Sequence, residues 1–247
     1  MRLQEIFDQL SHAEFSQLHL GNDGQGVMPQ AYPRIASALN TGLTALHTRF
    51  FLREERLTLR LIPGRRSYPL RTRYAISSRT SREPDRYITD SREEPFNENL
   101  LKIEQVFTDT GFELGLNDKD HQYSVHTPSM DVLTVPQCIV EQARDLPEHL
   151  KTSSLSVVYR ANHPILSEDE GLDDPEEYEV QLPYSHLQAL CYYVASRLHN
   201  PTGMTNQFHM GNSFFAKYEA ECQRLEHHNL QIDQGVSNDR LRRGGWL

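Results

Sequence analysis

Apolar positions near the start of the chain recur at helical spacing. Leu3, Ile6, Phe7 and Leu10 predict a short amphipathic helix over residues 2–11. Gly21-Asn22-Asp23-Gly24-Gln25-Gly26 reads as a turn. A long helix is expected from Pro29 to Phe50, with Ile35, Ala38, Leu39, Gly42, Leu43, Leu46 and Phe50 as its apolar stripe. Pro33 belongs in its first turn, where a missing N–H costs nothing. The period then changes to two. Leu57, Leu59 and Leu61 alternate with Thr58 and Arg60, Pro63-Gly64 breaks the run, and Tyr68, Leu70 and Tyr74 resume it. This pattern predicts a β-hairpin.

Residues 77–99 are rich in Arg, Ser, Glu and Pro, so an exposed loop is expected there, with little for a core to hold. Leu101, Ile103 and Val106 fit either a strand or a helical turn. Val132 to Val135 reads as a buried strand, and Leu155, Val157 and Tyr159 alternate cleanly. Helical spacing returns with Leu187, Leu190, Cys191, Val194, Ala195 and Leu198, a helix from 183 to about 199 closed by Pro201-Thr202-Gly203. A last helix is expected from Asn212, with Phe214, Phe215, Tyr218, Cys222 and Leu225 as its stripe, fading after His228. The closing stretch from Gly235 has no period.

These elements predict an α+β fold: a four-helix unit made from the N- and C-terminal helices, with a β-rich insertion between them. The expected division is 1–56 for the first helices, 57–180 for the insertion, 181–232 for the closing helices and 233–247 for a docking tail.

Charge sharpens this picture. The 247 residues carry 25 basic and 34 acidic side chains, a net charge of −9. Ten arginines lie between Arg53 and Arg86 against four acids, a net charge of +6. Eight acids and no base lie between Ser167 and Glu179. Arginine's flat, forked guanidinium suits carboxylate pairing at interfaces. No apolar run approaches the about 20 residues that a membrane span requires, so membrane insertion is not expected. The opening Met1–Glu5 carries acid and no apolar core, so a secretory signal is not expected. Three scattered cysteines make neither a disulfide framework nor a zinc site.

Catalytic signatures are sparse. The chain has no G-x-S-x-G elbow, no phosphate-binding P-loop and no H-E-x-x-H helix. The glycines at 21–26 follow a helix and lack a lysine, so they read as a linker. His227 and His228 point to different helix faces, and the acidic stretch lacks the ligand spacing of a calcium loop. No cofactor and no metal are expected. Cys191 and Cys222 lie on apolar stripes, where burial is the usual fate of cysteine.

The exposed elements point to docking. Arg240, Arg242, Arg243, Trp246 and Leu247 read as a peptide that binds a partner, since Trp and Arg dominate binding hot spots. Arg65, Arg66, Arg71 and Arg73 form a basic patch complementary to Glu168, Asp169, Asp173 and Asp174. A heterologous contact of this kind, one patch on a different patch of the next copy, is what builds a ring where the rotation between copies closes.

Several stretches resemble the head-to-tail adaptor proteins of tailed bacteriophages. They are Leu3–Leu10 with Glu14–Leu18, Ile35–Phe50 running into Leu57–Leu61 and Ser67–Leu70, and then Leu182-Pro183, His186–Leu190, Tyr193–Arg197 and Tyr218–Cys222. The likeness covers about the first 75 residues and about 180–225. It implies a structural virion protein of the head–tail junction, assembled in the host cytoplasm. Such a protein forms a ring, usually of twelve copies, below the portal protein. It extends the channel through which genomic DNA passes and docks the tail tube or nozzle protein. The resemblance also implies that the C-terminal segment reaches the portal. On this reading the chain is no enzyme. The alternatives are a tail-associated peptidoglycan hydrolase, which needs a carboxylic acid of raised pKa in a cleft, and an arginine-rich nucleic-acid-binding module.

Overall fold

The computed structural model describes residues 1–18, 20, 27–79, 82–167, 174–199 and 205–228. The fold is α+β, with helices in the N- and C-terminal regions and a β-rich middle. It divides into two units, Met1–Leu52 with His163–Leu247, and Arg53–Asn162. The β unit is therefore shorter than the expected 57–180. Residues beyond 162 belong with the helices, because Leu166, Val180 and Leu182 are buried in the helical core.

In the helical unit, α1 (Leu3–Ser11) buries Leu3, Ile6, Phe7 and Leu10, the four positions of its stripe. The carboxylate of Glu5 accepts the Arg2 N–H at 3.0 Å and so ties down the start of the helix. Helix α2 (Tyr32–Arg49) follows a 3₁₀ turn at Pro29–Ala31, and Pro33 stands in its first turn. Helix α4 (Leu187–Leu198) is the hub of the unit, packed against α1, α2 and α5 (Thr205–His227). Ala189, Leu190, Cys191, Val194 and Ala195 are all fully buried there.

Polar contacts clamp the unit. Asn40 on α2 donates to Leu166 O at 2.9 Å and accepts Leu166 N–H at 2.8 Å. Arg34 donates to Leu198 O at 2.7 Å, satisfying a carbonyl at the end of α4. Arg49, at the end of α2, donates to Glu219 at 2.7 Å and to Glu226 at 2.6 Å, both on α5. The Arg49 bond holds the Glu226 carboxyl below the ordinary carboxylate range.

Helix α5 begins at Thr205, earlier than the expected Asn212. Phe214, Tyr218, Cys222 and Leu225 form its buried stripe, but Phe215 is exposed. It sits one residue from Phe214, about 100° around the helix, and misses the core.

The β unit contains two sheets around one core. Strands β1 (Glu54–Arg60), β3 (Ile88–Thr89), β4 (Leu100–Thr108), β5 (Glu113–Leu114) and β8 (Ser154–Ala161) form an antiparallel sheet in the order β3-β1-β8-β4-β5. Strands β2 (Ser67–Pro69), β6 (His126–Ser129) and β7 (Val132–Thr134) form the other, in the order β2-β7-β6. A single turn of helix, α3 (Gln137–Val140), buries Ile139 and Val140. Strand β8 buries Leu155, Val157 and Tyr159 as the alternation predicts, and Val158 as well; β7 buries only Leu133, with Val132 and Thr134 half-buried; residues 100–108 are strand.

The expected hairpin of residues 57–74 does not form. Strand β1 pairs with β8 along its whole length, whereas β2 pairs with β7. Pro63-Gly64, with Gly64 at φ +80°, redirects the chain from one sheet to the other instead of folding it back. The stretch 77–99 also differs from expectation. Tyr87, Ile88 and Phe96 are buried, and β3 pairs with β1.

Among the described residues, no helix is long and apolar enough to cross a membrane. No group of three or more His, Cys, Asp or Glu among them is placed to hold a metal ion.

Candidate functional site

The basic patch lies in the β unit, and three of its four arginines have partners there. Arg65 lies 4.7 Å from the Tyr87 ring centroid and 5.4 Å from that of Tyr74, with Asp85 at 3.7 Å. Arg73 also lies over the Tyr74 ring, 4.8 Å from its centroid. Tyr74 and Tyr87 stack at 4.8 Å, and Tyr68 meets Tyr87 edge-on at 5.1 Å. A guanidinium over an aromatic face contributes about 0.5–1 kcal/mol where exposed, and more when desolvated. Arg71 donates twice to Asp131, at 3.1 and 3.0 Å. Hydrogen bonds from Ser129 and Arg71 hold the Asp131 carboxyl below its ordinary range.

The basic stretch is therefore no freely solvated arm at these three positions. Arg65 and Arg73 brace an aromatic stack, and Arg71 fastens β2 to the turn before β7. Arg66 is exposed, and its carbonyl accepts the Val135 N–H at 2.8 Å. Of the complementary acids, Asp174 is exposed in the helical unit, while Glu168, Asp169 and Asp173 lie outside the described residues. So do the docking-tail residues Arg240, Arg242, Arg243, Trp246 and Leu247.

Sequence reasoning missed a second feature of the β unit. A groove of about 820 Å³ opens between β1 and the segment 89–97. Glu55 lies at its base. Tyr159 donates to the Glu55 carboxylate at 2.6 Å, Asn99 donates to both of its oxygens at 3.0 Å, and Arg53 pairs with it at 2.6 Å. Burial, followed by the adjoining Glu55 charge, pushes the Tyr159 phenol well above its ordinary value. Tyr159 thus stays a neutral donor, and Glu55 is saturated with hydrogen bonds.

Asp90 shapes the far wall. It accepts the Ser77 N–H at 2.9 Å, the Phe96 N–H at 3.0 Å and the Ser77 hydroxyl. Burial alone raises its pKa, but these hydrogen bonds outweigh burial and hold the carboxyl below its ordinary range. By bonding Phe96, Asp90 bends residues 90–96 away from β1. Glu93 and Glu94 stand exposed on that bend. Sequence alone offered only Glu54-Glu55 and Glu93-Glu94 as unremarked acids among arginines, because the groove needs two distant segments to define it.

The groove suits binding. Glu55 and the neutral Tyr159 phenol fix one another, Ser77 and Phe96 fix Asp90, and the exposed acids lie on the outer wall. No protein-family model matches the chain, and no curated protein is similar to it.

Proposed function

We propose that this chain is a head-to-tail adaptor of a tailed bacteriophage. It is a structural subunit without an enzymatic role. Copies of it form a ring, of about twelve by analogy with the family it resembles, below the portal at the head–tail junction of the virion. The ring extends the channel for genomic DNA and offers its far face to the tail tube or nozzle. Assembly takes place in the host cytoplasm.

One observation supports this reading above the others. Of the stretches that carry the family resemblance, Leu3–Leu10, Ile35–Phe50, His186–Leu190, Tyr193–Arg197 and Tyr218–Cys222 come from opposite ends of the chain and share one helical core, while Leu57–Leu61 and Ser67–Leu70 belong to the β unit. The intervening residues 53–162 form a unit of their own. Two bodies in one chain suit an adaptor, since one can meet neighbouring copies while the other presents a docking surface.

Mass photometry of the full-length chain mixed with a purified portal ring tests the proposal. A saturating set of added copies is expected. A portal that binds another ligand normally yet takes up no copies at micromolar chain concentration overturns it.

A further inference from the structure

Strand β1 has an open edge. Its pairing with β3 stops at Thr58–Thr89, while its pairing with β8 continues to Glu54–Arg160. The hydrogen-bond phase identifies the groups involved. Arg60 N–H bonds Tyr87 O on the β3 side, and Ala161 N–H bonds Arg53 O on the β8 side. In an antiparallel ladder the two sides alternate, so Glu54 and Arg56 turn their N–H and C=O groups toward the β3 side. Among the described residues no strand meets them there. The strand that would have done so is bent away by Asp90, and the 820 Å³ groove occupies its place.

The groove has the chemistry of a strand acceptor. An open edge is a template for main-chain pairing, and four residues of strand span about 13 Å. Leu57, Pro95 and Phe96 supply apolar lining. Its two lining arginines are already paired, Arg53 with Glu55 and Arg56 with Glu54. Glu93 and Glu94 have no ion pair among the described residues. The unspent charge is therefore negative, and the fitting occupant is an extended segment bearing positive charge.

We propose that the β1 groove accepts residues 236–247 of a second copy of this chain as an added strand. That segment carries Arg240, Arg242 and Arg243 against the single acid Asp239. In an extended backbone Arg240 and Arg242 share one side and Leu241 takes the other. The twelve residues from 228 to 239 reach about 40 Å when extended. Main-chain bonds supply affinity and Glu93 and Glu94 supply charge selection, the division of labour usual in strand addition. The segment that the family resemblance directs to the portal thus gains a partner in the neighbouring copy. The inference rests on the ring reading only in requiring a second copy.

The test uses full-length protein and a labelled peptide of residues 236–247, acetylated and amidated, followed by fluorescence anisotropy. Two further peptides carry backbone N-methyl groups, one at residues 237, 239, 241 and 243, the other at 238, 240 and 242. In a strand only alternate N–H groups face the acceptor, so one methylated peptide keeps its affinity and the other loses about tenfold or more. The double variant Glu93→Arg/Glu94→Arg, on an exposed bend, weakens the unmodified peptide by a similar factor. Equal behaviour of the two methylated peptides overturns strand addition, and undiminished binding to the double variant overturns the charge assignment. Peptide binding without portal binding retains the groove and removes the adaptor. Portal binding without peptide binding does the reverse.

Discussion

Gly42 on α2 faces Tyr193 on α4 so closely that a methyl group on Gly42 would lie 2.9 Å from Tyr193 Cδ1. The same methyl would lie 2.9 Å from Leu190 Cδ1, and Leu190 and Tyr193 are both buried. Alanine is the better helix former by about 1 kcal/mol, but overpacking a core costs about 1–3 kcal/mol. Gly42→Ala is expected to lower stability by up to about 2 kcal/mol. Urea unfolding followed by helical circular dichroism checks this, and a variant at least as stable as the parent would show that α4 yields.

The Asp90 carboxylate holds the bend beside the groove. Asp90→Ala removes the acceptor of two backbone N–H groups and one hydroxyl, a loss of about 1–3 kcal/mol in the β unit. Residues 77–96 should then open first. Limited trypsin digestion is expected to cut faster at Arg79, Arg82 and Arg92, with the helical unit's fragments unchanged. An unaltered digestion rate would count against the latch.

His186 couples the helical unit to pH. Its ring is buried and meets Phe50 edge-on at 4.8 Å, with Ser185 Oγ 3.0 Å from Nδ1. Burial lowers its pKa below 6.5, and the charge of Glu221 opposes that shift only in part. The unfolded chain therefore takes up this proton first. Stability is full above pH 6.5 and falls as the pH drops from there toward the lower folded value. His186→Leu should flatten the stability profile below about pH 6.5, measured by thermal unfolding across a series of pH values descending from there. A slope identical to the parent's would assign the pH dependence to other groups.

The thiols divide by burial. Burial pushes Cys191 up to about 12 and Cys222 up to about 11, whereas Cys138 is only partly buried. Thiolate is the reactive form. A thiol-specific reagent at pH 8 should modify at most Cys138 in the native protein and all three cysteines after denaturation. Fast native reaction at Cys191 would contradict the packing of α4.

The helical half of the fold is legible in the sequence because its information is local. Leu3–Leu10 and Leu187–Leu198 show their buried faces through spacing alone. The β half is legible only in part. The alternation at Leu57, Leu59, Leu155 and Val157 marks strands, but partnership is a long-range matter. Leu59 lies opposite Leu155, and Tyr68 lies opposite Leu133, pairings that no local turn signal reports. Pro63-Gly64 looks like a hairpin turn and is a crossover between sheets. Tyr87, Ile88 and Phe96 stand among charged neighbours, so composition hides their burial. The groove is least legible of all, since it arises where β1 runs on and the chain after Thr89 leaves it.

The bond from Ala161 N–H to Arg53 O, at 3.0 Å, places the two ends of the β unit side by side. Neighbouring antiparallel strands β1 and β8 thus receive both chain connections at one end of their ladder. Mechanical force applied across Arg53 and Asn162 meets those bonds one after another, as in opening a zipper, and never loads them together in shear. Under tension along that direction the sheet yields at small force from its Glu54–Arg160 end, while a pull along the length of β1 must break the ladder as a whole.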